Sequence, residues 1–359
     1  MKHPDATTTG QGQSYYRRKN LFPLRSSVST NTPEATSSQI LCRKKKNLRI
    51  PPHPTTKQRM LFLSRMGYPA QTMMNNILSE KEYQKYILKK LTENGYEIQP
   101  AEHYDRLYAI SRHELLRFLE KTQPDEMEAL KKIYKEKTEE VIVSTINAEE
   151  TKKRGSRLDV LKHGVEISRV PLKLMYAKPA TIFNKELNRL YEENIFSVSE
   201  EVWASDDEKI DLVVFLNGIA IMAFELKCNA SGQNYENAIL QYRQDRNPKT
   251  RLFRFKAGVL VCFAMDLEEV YMTTKLDGES TFFLPFNMGK GEGIETGAGN
   301  PVLKDEYSVH YIWDSILQKD SVLEIISKFM FIEVKEKEED EKKAAKEGRE
   351  HQEKRLWKR

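Results

Sequence analysis

The sequence contains few cysteines and no long apolar run. Its three cysteines, Cys42, Cys228 and Cys262, lie far apart and form no Cys-x-x-Cys pair. An odd and scattered set argues against a disulfide framework and against a structural zinc site. No segment has the roughly 18 apolar residues that a membrane helix needs, and the N-terminus lacks the short apolar run of a secretory signal. We therefore expect a cytoplasmic protein that does not enter a membrane.

Several catalytic motifs are also missing. The seven histidines form no His-Glu-x-x-His zinc motif. No serine lies in a Gly-x-Ser-x-Gly turn, and no Gly-x-x-x-x-Gly-Lys-Ser/Thr loop is present to hold the phosphates of ATP. These absences disfavour a zinc protease, a serine hydrolase and a P-loop ATPase.

The positive charge is concentrated at one end of the chain. Residues 1–58 contain eleven Lys and Arg against Asp5 and Glu34, about +9, so a net charge of +5 leaves about −4 (5 minus 9) for the remainder. Any DNA contact of the folded part must therefore come from a local patch. The first 58 residues are rich in Ser, Thr, Pro, Gln and Asn, and we expect a disordered basic tail. Its basic run at 43–46 could contact phosphates, but a solvated tail is the interpretation that we favour.

The remaining chain changes from a helical to a strand pattern. From Ser79 onward apolar residues recur at three- and four-residue steps, and we predict a helical N-terminal part over 59–150. From 151 to 332, short runs of Val, Ile and Phe predict a mixed sheet with flanking helices. The end, 333–359, is almost entirely charged and predicts a helical or disordered tail. The expected fold class is α/β.

Individual elements follow from the same patterns. The predicted helices start at Ser79 and stop at Gly95, cover Leu115–Leu119, follow Pro124 through Ile133, span Asn237–Gln244 and span Ser321–Phe331. The predicted strands cover Val198–Trp203, Ile210–Phe215, Ile219–Leu226, Ala257–Met265 and Glu269–Thr274, and short β-rich runs begin near Leu158.

One apolar hairpin carries charged residues in a pattern that indicates chemistry. Asp211 begins its first strand, the turn is Asn217-Gly218, and Glu225-Leu226-Lys227 ends the second strand. Charges inside an apolar hairpin are costly unless they are paired or bound to a metal. Glu225 and Lys227 are two residues apart and so point to the same face of the sheet.

These residue types suit the cleavage of a phosphodiester. Two carboxylates, from Asp211 and Glu225, can hold Mg²⁺, which prefers oxygen ligands and keeps several waters. Such a metal polarises the phosphate and lowers the pKa of a bound water. Lys227 can orient or deprotonate that water, or stabilise the transition state. The sequence leaves these roles of Lys227 open.

The register of the hairpin tests this hypothesis. A strict two-residue turn at Asn217-Gly218 would place Asp211 opposite Phe224, with the two carboxylates on opposite faces. A three-residue loop with Gly218 in the left-handed conformation would place Asp211 opposite Ala223, on the same face as Glu225. The nuclease hypothesis therefore predicts a bulged turn, or a twist that brings the carboxylates together. The simpler interpretation is a strand-end ion pair of Glu225 with Lys227 or with a neighbour.

Ordered matches along the chain resemble a known family. They comprise the motifs at 211–227, at 237–248 with Leu252-Phe253, at 269–274, at 281–287, at 297–301 and at 158–165. From about Ser79 to Phe331 the chain resembles the N-terminal nuclease region of the restriction (R) subunit of type I restriction enzymes.

The resemblance implies a restriction-endonuclease-like PD-(D/E)xK fold, with Asp211, Glu225 and Lys227 at the motif positions. It also implies a role for Gln241, which matches the family's glutamine on the following helix. The tyrosine that often stands four residues later in the family is Asp245 here, and Tyr242 is adjacent to the glutamine instead. The acidic residue on the family's first helix that can complete the metal site is best matched by Glu80, and the next position is Gln84.

The resemblance further implies partners and a limit. It implies metal-dependent cleavage of unmodified double-stranded DNA in a complex with methylation and specificity subunits, with Mg²⁺ as the metal. The family's ATP-driven DNA translocase has no counterpart in this sequence, and we expect this chain alone not to bind ATP. The alternative to a nuclease module is a truncated, non-catalytic remnant that only docks on partner subunits or DNA.

Overall fold

A computed structural model describes residues 79–291, 297–304 and 306–332. The tails predicted at 1–58 and 333–359 lie outside the described residues. The α-helices are α1 (Glu80–Glu93), α2 (Arg112–Thr122), α3 (Pro124–Tyr134), α4 (Thr138–Thr151), α5 (Arg157–His163), α6 (Lys185–Glu192), α7 (Tyr235–Gln244) and α8 (Lys319–Glu324). Two π-helical segments cover Ile312–Ile316 and Ile325–Phe329.

A large mixed sheet forms the centre of the described structure. Its strands are β1 (Glu97–Ile98), β2 (Tyr104–Asp105), β3 (Ile110–Ser111), β6 (Phe196–Trp203), β7 (Lys209–Leu216), β8 (Ile219–Leu226), β9 (Val261–Met265), β10 (Val270–Thr273) and β11 (Leu284–Pro285). The order is β1-β6-β7-β8-β9-β10-β11, and β3 joins β2 to β8. The pairs β1–β6 and β8–β9 are parallel, and the other pairs are antiparallel. A separate hairpin pairs β4 (Val165–Ile167) with β5 (Val170–Leu172).

Helices cover both faces of this sheet. On one face, Leu212 and Val214 of β7 pack in a cluster that includes Tyr83 and Ile87 of α1. On the other face, Val213 of β7 packs in a cluster that includes residues of α7. Because successive residues of a strand point to opposite faces, the apolar run of β7 supplies both cores. The expected mixed α/β sheet with flanking helices is confirmed.

The first helix is fixed at the edge of the candidate site by its cap. Ser79 accepts a hydrogen bond from the backbone N–H of Glu82, and the Glu82 carboxylate accepts one from the backbone N–H of Ser79. This capping box satisfies two N–H groups that a helix start leaves unpaired. The cap therefore fixes the start of α1 and with it the position of Glu80, the first helical residue.

Most predicted elements are present, but the prediction near Leu158 is wrong. The expected β-rich run there is the helix α5, followed by β4. Ser156 caps this helix by accepting a hydrogen bond from the backbone N–H of Asp159 at 3.0 Å, and Gly164 ends it with φ +80°. Leu158 and Leu161, three residues apart, are buried on one side of it. The short length of α5 hid the helical period.

Other differences concern the bounds of elements. The strand expected over Ala257–Met265 begins only at Val261, and the predicted helix Ser321–Phe331 is α8 followed by a π-helical segment. Helices α4 and α6 were not predicted as separate elements. No helix in the described part of the chain is long and apolar enough to cross a membrane.

Candidate functional site

The β7–β8 hairpin is regular at its turn and bulged further along. Asn217 and Gly218 both have positive φ, +51° and +78°, as a two-residue type I′ turn requires, and Leu216 pairs with Ile219. The three-residue loop considered from the sequence is therefore wrong. The register shifts between Val214 and Phe215, and Ile221 on β8 is the extra residue.

This bulge aligns the two acids. Beyond it, Val213 pairs with Ala223 and Leu212 with Phe224, so continuing the register sets Asp211 opposite Glu225. Both carboxylates then lie on the same face of the sheet, the face that α7 covers. The predicted same-face arrangement is present, but the bulge lies inside the strand and not in the turn.

Asp211 is held in place through both its carboxylate and its backbone. Its Oδ2 accepts a hydrogen bond from the backbone N–H of Leu226 at 2.7 Å, and its carbonyl accepts one from Nε2 of Gln84 at 2.8 Å. Burial raises the pKa of Asp211, while the Leu226 N–H and the Lys227 charge oppose this shift. The acid at the start of β7 is thus tied to the residue between Glu225 and Lys227.

Glu225 is fully buried and only half satisfied. Its Oε1 accepts a hydrogen bond from Nε of Arg246 at 2.8 Å, and Nη2 of Arg246 lies 2.8 Å from the same oxygen as an ion pair. Its Oε2 is buried and has no hydrogen-bond partner among the described residues. Burial and the charge of Asp211 raise the pKa of Glu225 to about 8, against the opposing charges of Arg246 and Lys227. A buried carboxylate oxygen without a partner is costly, and a water or a metal ion is the kind of group that satisfies it.

Lys227 connects β8 to the first helix. Its side chain is only 8% exposed, and its Nζ donates to the carbonyl of Leu226 at 2.9 Å and lies 3.5 Å from Oε2 of Glu80. Its backbone N–H donates to the carbonyl of Met265 on β9 at 2.9 Å. The ammonium group is therefore fixed at the ends of two neighbouring strands.

Glu80 joins this group from α1. Burial raises the pKa of its carboxyl, the nearby Lys227 opposes that shift, and the charge of Asp211 adds to it. These interactions bring Glu80 into the same electrostatic cluster as Asp211 and Lys227. Glu80, the residue that the family resemblance implied for the metal site, therefore lies beside the candidate site with a partly exposed carboxylate.

Gln241 is positioned differently. It lies half-buried on α7, the helix that packs on β8 and β9. In the described part of the chain its side chain makes no hydrogen bond to Asp211, Glu225 or Lys227. The geometry thus brings four of the five predicted residues together and leaves Gln241 on the covering helix.

Two residues of the site were missed by the sequence analysis. Arg246 pairs with Glu225 across a sequence separation that no local pattern reveals. Glu201 stands between the pairs Glu200–Leu212 and Val202–Ile210, opposite Asp211, and has φ +55°. A left-handed glutamate inside a strand is strained, and such strain often marks functional sites. Its carboxylate pairs with Lys209 and raises the pKa of Asp211.

The described residues contain no group of three or more His, Cys, Asp and Glu that is already close enough to hold a metal ion. The available donors are instead Asp211 and the free oxygen of Glu225, with Glu80 at the edge. Mg²⁺ is commonly bound through one or two carboxylates together with substrate phosphates and waters. The donor set fits a metal of that kind and not a closed structural site.

The comparison with known families covers this site. A family model described as the N terminus of the type I restriction enzyme R protein matches residues 77–281, more than half of the chain. The chain belongs to this family. Among curated proteins no significant match was found. The matched range runs from the start of α1 past β10 and includes every predicted site residue. The family assignment is therefore confirmed.

Proposed function

We propose that this chain is a metal-dependent endonuclease module that cuts unmodified double-stranded DNA. The observation that carries the proposal is the bulged register of the hairpin, which continues to place Asp211 opposite Glu225, with Lys227 beside them. This is the residue pattern of a PD-(D/E)xK nuclease on the two central strands of a mixed sheet. Membership of the restriction R family supports the same activity.

The metal would be held by Asp211 and by Oε2 of Glu225, and the orphaned state of that oxygen is the reason to assign it a ligand. Glu80, whose carboxylate lies 3.5 Å from the Lys227 ammonium at the edge of the site, is proposed as a further oxygen donor. We propose Mg²⁺, because the donors are all hard oxygens and too few to enclose a larger ion. When bound, such a metal neutralises charge on the phosphate and makes a water more acidic.

Lys227 contributes a fixed positive charge. Its ammonium has three N–H bonds, and one donates to the Leu226 carbonyl while another faces Glu80. The remaining N–H can donate to a phosphate oxygen of the DNA. Because the side chain is almost buried, this charge acts at low dielectric, where it stabilises developing negative charge more strongly than it would in water.

Gln241 and the partners complete the proposal. Gln241 lies on the helix over the site and is proposed to contact the DNA or a water there. Membership of the family supports a complex with methylation and specificity subunits, which would choose the DNA sequence. ATP would act through a translocase and not through the described residues.

The direct test is plasmid cleavage with Mg²⁺ or Mn²⁺ by the purified chain, with and without the partner subunits. Glu225→Gln and Lys227→Ala are expected to abolish cutting. Glu150→Gln is the matched control, because Glu150 is another buried glutamate paired with an arginine. Arg157, the partner of Glu150, donates to the Ala220 carbonyl near the turn of the hairpin, at the end away from Glu225. Glu150→Gln should lower stability and leave cutting by the folded protein intact.

The outcomes are distinct. Equal cleavage by the wild type, Glu225→Gln and Lys227→Ala rejects the assigned site. No cleavage by any variant, even with methylation and specificity subunits and ATP, rejects the nuclease proposal and favours a module that only docks on its partners.

A further inference from the structure

Arg246 is the cationic neighbour of Glu225. Its side chain is 5% exposed, and its Nε and Nη2 both lie 2.8 Å from Oε1 of Glu225. Nη2 also donates to the backbone carbonyl of Lys209 at 2.9 Å. The guanidinium therefore bridges the end of β8 and the start of β7, the two strands that carry the candidate metal ligands.

The loop that presents Arg246 is anchored independently of Glu225. This loop follows α7, and the backbone N–H of Asn247 donates to Oε1 of Glu208 at 2.5 Å. Thr250 donates from Oγ1 to the other oxygen of Glu208 at 2.9 Å. Glu208 is itself buried, just before β7. Arg246 is thus held in position before any ligand arrives, which lowers the entropy cost of ordering the site.

A second buried glutamate provides an internal comparison. Glu150 receives Nε of Arg157 on Oε1 at 2.8 Å, and Nη2 of Arg157 on Oε2 at 3.1 Å. Arg251 also donates to that second oxygen. Both oxygens of this structural ion pair are satisfied, as buried charges require. At Glu225 both arginine nitrogens, Nε and Nη2, lie against one oxygen, and the other oxygen has no partner within the described residues.

We propose that Arg246 is a positioning residue for metal binding. It fixes the Glu225 carboxylate through Oε1 so that Oε2 faces the metal with Asp211. This inference rests on the proposed function, because it assigns the metal to that oxygen. Lysine cannot replace the arginine fully, since one ammonium cannot reproduce the planar fork that contacts Glu225 and the Lys209 carbonyl together.

The test is calorimetric titration of the full chain with Mn²⁺. The variants are Arg246→Met and Arg246→Lys, and Arg251→Met is the matched control from the Glu150 ion pair. Loss of a residue that orients a metal ligand typically costs about 10–100-fold in metal affinity, and we expect this loss for Arg246→Met. Arg246→Lys should recover part of it. Arg251→Met should keep the wild-type Mn²⁺ affinity and lower only the melting temperature.

A further variant guards against misfolding of Arg246→Met. Glu208→Gln leaves Glu225 and its arginine in place but weakens the anchor of the loop, and it should weaken Mn²⁺ binding by a smaller factor. Wild-type Mn²⁺ affinity in Arg246→Lys and Glu208→Gln, or an equal loss in Arg251→Met, overturns the role of Arg246 and leaves the proposed function standing. Failure of the wild type itself to bind Mn²⁺ overturns both proposals.

Discussion

The carboxylate of Asp211 accepts a hydrogen bond from the backbone N–H of Leu226 at a distance of 2.7 Å. Leu226 stands between Glu225 and Lys227, so this bond fixes the acid of β7 beside Glu225 of β8 and beside Lys227, which directly follows β8. It depends on the register shift at Ile221, because an unbulged two-residue hairpin would turn Asp211 to the opposite face. The bulge is therefore the backbone feature that assembles the site.

Asp211→Asn should remove metal binding without unfolding the protein. The amide keeps an oxygen that accepts the Leu226 N–H, but it carries no charge for the cation. We expect Mn²⁺ affinity to fall by more than the roughly 100-fold that loss of an outer partner costs. Calorimetry measures the affinity, and circular dichroism checks the fold. Asp206→Asn is the control, because Asp206 is an exposed acid paired with Arg106. Unchanged Mn²⁺ affinity in Asp211→Asn would remove Asp211 from the ligand set.

Metal affinity should depend on pH through Glu225. Its pKa is raised to about 8 by burial and by the charge of Asp211. Below that pH the carboxyl holds a proton that the metal must displace, so affinity should rise with pH by up to about tenfold per unit and level off above pH 8. Titrations in two buffers with different ionisation enthalpies count the proton released. A Mn²⁺ affinity that is constant from about pH 6 to pH 8.5 would contradict this assignment.

The stability of the metal-free protein should show the opposite trend. The pKa of Glu225 is about 8 in the folded protein and 4.5 as the ordinary value, so between these limits the folded state holds more protons than the unfolded state. The contribution of Glu225 is therefore full below pH 4.5 and is lost as pH rises through 8. In EDTA, the melting temperature should therefore fall more steeply as the pH rises from 4.5 to 8 for the wild type than for Glu225→Gln. Parallel curves would show that Glu225 is not the titrating group.

Much of the site was accessible from the sequence, and the rest depended on long-range contacts. The strand of Glu225 was predicted with its observed bounds, because apolar residues flank the Asn217-Gly218 turn. The bulge was not predictable locally, since the Ile221 carbonyl accepts a hydrogen bond from Leu260 next to the parallel strand β9. Arg246 was missed for a similar reason. The sequence shows that a buried glutamate needs a cation, but not which arginine reaches it.

Replacing Gly218 with alanine should test the turn of the hairpin. A Cβ there would lie 2.4 Å from the Ser111 carbonyl oxygen and 2.5 Å from the Leu115 nitrogen, at φ +78°. The left-handed backbone alone costs about 1–2 kcal/mol, and the overlap should add about 1–3 kcal/mol. Urea unfolding measures the sum. Gly278→Ala is the matched control, with φ +57° and no atom within 4 Å of the new Cβ. It should lose only the stability that the left-handed backbone costs. Equal losses would mean that β3 and α2 yield freely at this contact.

The most direct measurement of the central claim is the anomalous scattering of Mn²⁺ in crystals of the full chain. The account predicts a peak bonded to the Asp211 carboxylate and to Oε2 of Glu225, with the Arg246 guanidinium still on Oε1. Saturating Mn²⁺ that leaves these two carboxylates without a peak, or that binds only elsewhere, would contradict it.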